Sequence, residues 1–413
     1  MQLATTPTFY RPPPTTKPDP LRVRFAPYVE RSVLDMLDPE RIDALAEDMR
    51  VVKRHRKHHS GLLVCGLILS AFHQSEVEGR WLDAAAFYRE MGGPETGTTS
   101  IRNMGRKMLP VMQKMLQRRM KQLAEEAKTS ELRGRLEAFH DVLIPDGCAF
   151  KLASVLSGIS PGTGQPAELK LHTVYSVKAR TAVEVTPTAG SVHDSDGFWP
   201  TWQAGALYIT DLGYQNVDRF VEGALANAHL LQRLKSNHNP EIVASYGPTG
   251  ARRVVRDADG CSVRLEEALA MGLVHRSEQL DLDVRLVDSK GRTVIARVVC
   301  VPTEGEDRYY LTTLLRSVFT PCDIAELYRI RWEVELFFRN WKGGVRMDHV
   351  HRLRNPTSLA VAVTASMLAA LLSRDLHAAL EALNETPTPK ISEFKDPVPS
   401  SMDGFSPCGI VAR

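Results

Sequence analysis

The sequence lacks the features that would direct the chain into a membrane or out of the cell. Its first twenty residues, MQLATTPTFYRPPPTTKPDP, contain no apolar signal core and are rich in Pro and Thr. The longest apolar run, residues 359–372, is shorter than the ~20 residues that a membrane-spanning helix needs. We therefore expect a buried core helix there, a cytoplasmic location and no membrane partner.

Paired cysteines and a large net charge are also missing. The six cysteines form no CxxC pair, so the sequence indicates neither a zinc site nor a disulfide framework. A reducing cytoplasm fits this pattern. The net charge is only +3, so the overall charge is weak support for a polyanionic partner.

Positive charge is concentrated in two segments. Residues 51–59 read VVKRHRKHH, and residues 101–121 hold seven Lys and Arg; neither segment contains an acidic residue. Such concentration on a balanced chain indicates a local anionic partner, although a solvated helix face is an equally good interpretation of either segment alone. The candidate phosphate contacts in these segments are Lys53, Arg54, Arg56, Lys57, Lys114 and Arg118.

The most informative pattern is a polar stripe near residue 330. Tyr328, Arg331, Glu335 and Lys342 stand at offsets of 0, 3, 7 and 14, which one helix places within about a 60° arc. Because apolar and aromatic side chains surround the stripe, we predict one mostly buried helix whose polar stripe faces a metal ion or a phosphate backbone.

Each member of the stripe also has a structural interpretation. Arg331 can form an i,i+4 ion pair with Glu335, and Lys342 can complement the helix dipole at the C-terminus. Tyr328 can be an ordinary core tyrosine.

Two aspartates each follow an apolar strand-like run. Asp146 comes after Val-Leu-Ile-Pro, and Asp211 comes after Leu-Tyr-Ile-Thr. Either can be a simple turn residue, since Asp-Gly is a common turn sequence. If both converge with Glu335, the three carboxylates form a cluster of oxygen ligands whose mutual repulsion Mg²⁺ relieves. Two such ions about 4 Å apart can activate a nucleophilic oxygen and stabilise the leaving oxygen of a phosphodiester.

The order of helix-like and strand-like residue patterns along the chain predicts an α/β fold with a mixed sheet. A helix begins at Pro39 after the N-cap Asp38, and a basic amphipathic helix begins at Pro110. The predicted segments are a flexible tail (1–28), a helical region (29–135), a first core part (136–236), a β-rich insertion (237–308), a second core part (309–385) and a C-terminal tail (386–413).

The stripe resembles the Tyr-(2)-Arg-(3)-Glu-(6)-Lys signature of bacterial insertion-sequence transposases with a DDE triad, the YREK group. Pro-Asp146-Gly and Leu-Tyr-Ile-Thr-Asp211-Leu-Gly-Tyr are similar to the two aspartate strands of that family. The segments beginning at Leu169, Arg233 and Tyr310 also look familiar. The resemblance covers roughly residues 35–385 in the family's order.

The resemblance implies a ribonuclease H-like mixed sheet flanked by helices, interrupted by the β-rich insertion. It implies Asp146, Asp211 and Glu335 as ligands of two Mg²⁺ ions, for which Mn²⁺ can substitute. It also implies cleavage and strand transfer at terminal inverted repeats, with a DNA hairpin as a common family intermediate. The remaining implied DNA contacts are Tyr328, Arg331, Lys342, Arg233 and Lys235.

The implied partners are double-stranded DNA, both the transposon ends and the target, and a second copy of the chain in the synaptic complex. The basic segments 53–59 and 102–121 of the all-α N-terminal region would recognise the repeats. Arg233 and Lys235 are equally well interpreted as surface charges at a strand end. Two alternatives remain: a nuclease of the same fold without strand transfer, and a DNA-binding relative without activity.

Some positions depart from the family or have ordinary interpretations. Cys148 stands where relatives commonly carry Thr or Ser, but that hydroxyl is not a metal ligand. The insertion contains no Trp, so only Tyr246, or Tyr309 and Tyr310 beyond it, can hold a flipped base. His172 is expected to be a core histidine. The pair at 193–194 is expected to form a capping loop, with a position near the metal ions as the alternative.

Overall fold

The chain folds as an α/β protein in which helices come first and a ten-stranded mixed sheet flanked by helices follows. This confirms the predicted fold class. The structure, a computed structural model, describes residues 33, 35–52, 59–73, 79–197, 201–235, 237–247, 250–274, 280–301 and 307–383.

The N-terminal region forms a helical layer. Its helices are α1 (Asp35–Leu37), α2 (Pro39–Asp48), α3 (Ser60–Leu69), α4 (Gly79–Glu90) and α5 (Thr98–Thr129). Helix α2 begins as predicted, because the Asp38 side chain accepts hydrogen bonds from the backbone N–H groups of residues 40 and 41. The apolar α3 packs between α2 and α4.

The prediction that a helix begins at Pro110 is wrong. Helix α5 begins at Thr98 and continues through Pro110, which is exposed. A proline inside a helix removes one hydrogen bond, so the loss must be offset elsewhere. Ile101 and Met108, in the turns before Pro110, are almost completely buried, and their packing stabilises the preceding turns.

The two faces of α5 are those predicted. Val111, Met112, Met115 and Leu123 are buried, whereas Lys114 and Arg118 are exposed. The buried residues pack α5 against the rest of the helical layer and against the long helix near the C-terminus. The exposed face leaves its positive charges in solvent.

The sheet has the strand order β3-β2-β1-β4-β5-β10-β9-β8-β6-β7. Strands β1, β4 and β5 are parallel to one another, and the other neighbouring strands pair antiparallel. The strands are β1 (Val142–Lys151), β2 (Glu168–Ser176), β3 (Thr181–Ala189), β4 (Leu207–Thr210), β5 (His229–Arg233), β6 (Glu241–Tyr246), β7 (Arg252–Arg253), β8 (Leu280–Val287), β9 (Thr293–Val301) and β10 (Arg308–Thr312).

Residues 237–308 contribute strands to the same sheet as the rest of the core. Strand β9 pairs with β10 from Arg308↔Val301 to Thr312↔Arg297, and β8, β6 and β7 follow outward. Helix α8 (Leu265–Ala270) lies within this segment. The segment is therefore attached to the core by continuous backbone pairing.

Two apolar clusters cover the two faces of the sheet. Val142 and Ile144 of β1 belong to one cluster, and Leu143 between them belongs to the other, as the alternation of a strand requires. The larger cluster includes the N-terminal helices. The helices α6 (Asp194–Gly197), α7 (Val217–Leu225), α9 (Pro321–Arg329), α10 (Trp332–Gly343) and α11 (Pro356–Leu383) complete the fold, with 3₁₀ turns at Leu212–Tyr214 and Met347–Arg352 among others.

Helix α11 contains the long apolar run. By length and composition it is apolar enough to cross a membrane, but 72% of its apolar window is buried inside the protein. It packs against α3 and α5, and Arg119 of α5 forms a two-pronged hydrogen-bonded ion pair with the buried Asp375 of α11 at 2.8 and 3.0 Å. The helix is therefore the core helix that the sequence predicts.

Candidate active site

Parallel pairing brings the two predicted aspartates level with each other. Val142 of β1 pairs with Leu207 of β4, and Leu143 pairs with Tyr208. Continuing this register by three residues places Asp146 beside Asp211, which directly follows the last residue of β4. Neighbouring parallel strands therefore bring both carboxylates to the same end of β4.

The prediction that Asp146 ends its strand is wrong. Strand β1 runs on to Lys151, because β2 pairs with it continuously from Leu143↔Ser176 to Lys151↔Glu168. On its other side β1 loses its partner where β4 ends at Thr210. The half-buried Asp146 therefore lies on a continuous strand that is open toward Asp211.

The predicted single helix is divided in two. Helix α9 ends at Arg329 and α10 begins at Trp332. Between them the backbone N–H groups of residues 330, 331, 333 and 334 bond to carbonyls three residues earlier, as in a 3₁₀ turn. Thr320 and Asp323 form a capping box at the start of α9, and α10 ends at Gly343. Tyr328 and Glu335 therefore belong to different helices.

Arg331, at the junction, lies between two of the predicted carboxylates. Its Nη2 donates to Oε1 of Glu335 at 2.6 Å, and its Nη1 lies 3.8 Å from Oδ2 of Asp146. The i,i+4 ion pair therefore forms, and the same guanidinium also reaches β1. A single side chain links Asp146 to Glu335.

Tyr328 contacts the third carboxylate. Its hydroxyl donates to Oδ1 of Asp211 at 3.3 Å, and its ring lies 5.1 Å from the ring of Tyr310. Tyr328 is buried, as a core tyrosine would be, but its polar end reaches the site. Burial and the charge of Asp211 raise the pKa of Tyr328, so its hydroxyl remains protonated and able to donate.

The carboxyl group of Asp146 has an unusual affinity for its proton. Burial raises its pKa to about 6, although the Gly147 N–H and the charge of Arg331 act in the opposite direction. The charges of Asp211 and Asp194 raise the pKa further. Burial lowers the pKa of Arg331, but the hydrogen bond to Glu335 and the nearby negative charges together raise it above its ordinary value. The site is thus rich in negative charge.

Asp194 is a member of the site that the sequence predictions did not include. At the start of α6, its Oδ1 lies 3.2 Å from Nζ of Lys170 and 3.8 Å from Nδ1 of His172. A Cβ atom at Gly147 would lie 2.7 Å from the same oxygen, so only glycine after Asp146 leaves room for this carboxylate. The His-Asp sequence at 193–194 was the available signal, although we expected a capping loop there.

His172 is the core histidine that we expected. It is fully buried on β2, with Nε2 2.9 Å from Oγ1 of Thr188 and Nδ1 3.4 Å from the Tyr214 hydroxyl. Burial lowers its pKa, so the ring is neutral near pH 7. It supports the wall of the site beside Asp194.

The predicted DNA contacts of the core lie at the end of α10 and at or just beyond the end of β5. Lys342 is exposed at the end of α10, and its Nζ lies 5.9 Å from the centroid of the Phe150 ring on β1. Lys342 also hydrogen-bonds Cys148, whose pKa burial raises to about 11. Arg233 is the last residue of β5 and pairs with Tyr310. Its positive charge acts to lower the pKa of Tyr328. Lys235 lies beyond the strand, where its backbone N–H donates to Gln215.

Other predicted contacts lie outside this cluster. Lys114 and Arg118 are on the exposed face of α5, and Lys53, Arg54, Arg56 and Lys57 lie outside the described residues. Tyr246 is held by internal contacts, because its hydroxyl donates to Asp283 and the Arg316 guanidinium lies 3.4 Å from its ring centroid.

The donor set suits a hard divalent cation. The charges of Asp194 and Asp211 act on the pKa of Asp146. Arg331 contacts both Asp146 and Glu335. Carboxylate oxygens are the ligands that Mg²⁺ prefers. In the described part of the chain, no group of three or more His, Cys, Asp or Glu side chains lies close enough together to coordinate one metal ion. Arg331 occupies the space between Asp146 and Glu335.

Comparison with known protein families matches residues 137–372 to the transposase DDE domain. The chain belongs to this family. It is 21% identical over 253 residues to the "Transposase for insertion sequence element IS1151" of Clostridium perfringens, covering 52% of this chain and 53% of that one. It is 28% identical over 190 residues to the "Putative transposase y4zB" of Sinorhizobium fredii, covering 45% and 47%.

The matches therefore span about half the length of these relatives. The transposase DDE domain of this chain includes Asp146, Asp211 and Glu335, together with the whole of the segment 237–308. Helices α2–α5 precede it.

Proposed function

We propose that this protein is a cut-and-paste DNA transposase of the YREK group. It would act in the cytoplasm, cleave DNA at the terminal inverted repeats of an insertion sequence, and join the freed ends to target DNA. One observation carries the proposal: Asp146 and Asp211 are level on neighbouring parallel strands, and Arg331 connects Asp146 to Glu335. The family supports phosphodiester chemistry for such a site.

Asp146, Asp211 and Glu335 are the proposed ligands of two Mg²⁺ ions, for which Mn²⁺ can substitute. Bound there, the ions would supply activation of an attacking oxygen and stabilisation of a leaving oxygen. The carboxylates need a cation because burial and mutual repulsion oppose their ionisation, as the raised pKa of Asp146 indicates. Asp194 adds a further negative charge beside Gly147.

The other members of the signature have proposed roles on the substrate. Arg331 carries a planar fork of donors that matches a phosphate, and metal binding would free it from Asp146 and Glu335. Lys342 offers a point charge farther along β1, and Tyr328 orients Asp211 through its hydroxyl. Arg233 and Lys235 would contact DNA at the end of β5.

Double-stranded DNA and a second copy of the chain are the proposed partners. The basic segments 53–59 and 102–121 would bind the inverted repeats, and such binding weakens steeply with salt. Two copies would hold the two ends together, since both ends must be cut and joined. The proposal also includes the predicted domains: an N-terminal helical region, a catalytic core in two parts and a β-rich insertion between them.

The test is cleavage and joining by the purified protein, given duplexes that carry the inverted repeats, Mg²⁺ and a target plasmid. We expect Glu335→Gln to lower cleavage by more than ~100-fold, because a ligand should matter more than the groups that orient it. Glu333→Gln is the matched control, since it lies on the same helix but the charge that acts on its pKa is that of Arg180. It should cleave within a few-fold of the unaltered protein.

The same assay separates the alternatives. Cleavage without any joined product would favour a ribonuclease H-like nuclease, and binding without cleavage would favour an inactive DNA-binding relative. Unchanged cleavage by a correctly folded Glu335→Gln variant would contradict the assignment of the site.

A further inference from the structure

A second site lies between the helical layer and the segment that follows α10. It is a cleft of about 560 Å³ bounded by α4, the first turns of α5, and residues 346–355 before α11. We call it the arginine cleft, because its lining includes Arg80, Arg102, Arg106, Arg346, Arg352 and Arg354. None of these residues belongs to the carboxylate cluster.

The walls of the arginine cleft are joined by hydrogen bonds. Nη1 of Arg80 donates to the Ala362 carbonyl at 2.6 Å, and its Nη2 donates to the Val345 carbonyl at 3.2 Å. Nε of Arg106 on α5 donates to Oγ of Ser358 on α11 at 2.8 Å. These bonds use backbone and hydroxyl acceptors, so they hold the cleft open without neutralising its charge.

The charge of the arginine cleft is strongly unbalanced. Among the residues that line it in the described part of the chain, Asp83 is the acidic one, and it lies 3.0 Å from Nδ1 of His73. Burial, and then the charge of Arg346, lower the pKa of Arg80 to about 10. Like charges held close together in this way concentrate positive potential and attract an anion.

The guanidinium of Arg102 has a donor that could bind such an anion. Nε of Arg102 is buried and has no hydrogen-bond partner in the described part of the chain, and the guanidinium lies 5.9 Å from the Trp81 ring centroid. A buried donor without a partner is unfavourable, so a bound acceptor would stabilise it. Arg354, on the opposite side of the cleft, is exposed.

The position of the arginine cleft identifies the anion. Lys342 and Arg346 are four residues apart, so their Cα atoms are at most ~14 Å apart, the rise of about four base-pair steps of DNA. The 3₁₀ turn Met347–Arg352 packs against β1, which carries Asp146. A DNA backbone that passes Lys342 therefore reaches the cleft within a few nucleotides.

We propose that the arginine cleft binds the phosphate backbone of double-stranded DNA beside the bond that is cut, with Arg102 on one wall and Arg354 on the other. This inference rests on the proposed function, because it names the DNA segment next to the same active site. It differs from DNA binding by Lys114 and Arg118, which lie farther along α5 on its exposed face. Because α5 and the segment after α10 share the cleft, bound DNA would fix the helical layer against the catalytic core.

The test measures binding of a fluorescent 30-base-pair duplex at several salt concentrations, in EDTA so that no strand is cut. Each lost phosphate contact should reduce the slope of log K against log salt by ~0.9. We expect that reduction for Arg102→Ala and for Arg354→Ala, and about twice that for the double variant. Arg354→Lys should keep most of the slope, because the charge remains.

The control is Arg285→Ala, which removes an exposed arginine of β8 that pairs with Glu241 of β6. It should leave the slope unchanged. Arg354 is exposed, so its variant should fold normally, which a melting temperature near that of the unaltered protein would verify. A parallel titration uses poly-glutamate in place of the duplex. If Arg102→Ala and Arg354→Ala weaken the binding of poly-glutamate but not that of the duplex, the cleft binds an acidic peptide and the proposal is overturned.

The two proposals fail in different ways. If the unaltered protein cleaves repeat DNA but Arg102→Ala and Arg354→Ala keep its full salt dependence, the arginine cleft is not a DNA site and the proposed function stands. If the slopes fall as expected but no cleavage occurs under any condition, the cleft is a DNA site and the proposed function is wrong.

Discussion

Two groups of acidic side chains, one on strand β8 and one in the candidate active site, differ in how their charge is balanced. On β8, Asp281 accepts from Nε and Nη2 of Arg297 at 2.8 Å each, and Arg316 reaches Asp281 and Asp283 at 3.1 and 2.7 Å. Two carboxylates thus face two guanidiniums. The charges of this paired cluster are therefore balanced without any ligand.

The candidate active site is not balanced in this way. Its carboxylates are Asp146, Asp194, Asp211 and Glu335, and the cations in contact with them are Arg331 and Lys170. Asp211 has a neutral partner, the hydroxyl of Tyr328. Excess negative charge in a half-buried site raises the free energy of the fold unless a cation binds. The comparison therefore separates a structural cluster from a site that needs a ligand.

The largest expected effect on stability concerns the paired cluster. Arg297 is buried and also donates to the Phe319 carbonyl at 2.8 Å, so Arg297→Ala would remove from Asp281 the two shorter of its three guanidinium contacts. We expect a loss of ~3–5 kcal/mol in the free energy of unfolding, measured by urea denaturation. Arg331→Ala should lose less than ~1 kcal/mol, since Glu335 remains one-third exposed. Equal losses would remove the distinction between the two clusters.

Replacing Asp146 should have the opposite sign. Its pKa in the folded protein is raised from an ordinary 3.8 to about 6, so its contribution to stability is greatest below pH 3.8 and is lost as the pH rises through 6. In EDTA at pH 7.5, Asp146→Asn should therefore stabilise the protein by up to ~3 kcal/mol, at about 1.4 kcal/mol per pKa unit.

Thermal unfolding at several pH values checks this expectation. The advantage of Asp146→Asn should shrink toward zero at pH 4. Asp281→Asn is the control from the paired cluster, and it should lower stability at pH 7.5, because it leaves Arg297 without a charged partner. A destabilised Asp146→Asn protein at pH 7.5 would mean that Arg331 already balances the site.

Added Mg²⁺ should stabilise the unaltered protein by a smaller amount. A ligand at about 100 times its Kd stabilises the folded state by ~2.7 kcal/mol, and the melting temperature rises accordingly. Asp146→Asn and Glu335→Gln should abolish the rise, whereas Asp283→Asn should keep it. A rise that survives loss of Asp146 but not of Asp283 would place the cation in the wrong cluster.

Local sequence patterns predicted much of this protein. The α/β fold, the N-cap at Asp38 and the buried face of α5 all follow from signals within a few residues. The placement of Asp211 after a buried strand was also correct. Such features depend on hydrogen bonds and burial that neighbouring residues determine largely by themselves.

The errors arose where distant residues decide the structure. Strand β1 continues past Asp146 because β2 pairs with it, and α5 continues through Pro110 because its first turns pack on the helical layer. Asp194 joins the site through a loop more than forty residues from Asp146. The arginine cleft needs three separate segments. Periodicity describes one element at a time and cannot contain these contacts.

Tyr328 should give the smallest effect, and it probes the neutral side of the comparison. Tyr328→Phe removes the 3.3 Å hydrogen bond to Asp211 while keeping the buried ring, so we expect a loss of ~0.5–1.5 kcal/mol in stability. If Tyr328 orients Asp211, cleavage should also fall, by up to ~10-fold and in kcat more than in KM. Tyr310→Phe is the matched control, because the neighbouring ring pairs with Tyr328.

The two tyrosine variants distinguish packing from function. Both keep their rings, so a purely structural Tyr328 would give variants that differ in stability but cleave DNA equally well. A selective loss of cleavage in Tyr328→Phe would show that Asp211 depends on a neutral donor, whereas Asp281 depends on charged ones. A neutral donor holds a carboxylate in place without cancelling its charge, and that charge is what a metal ion requires.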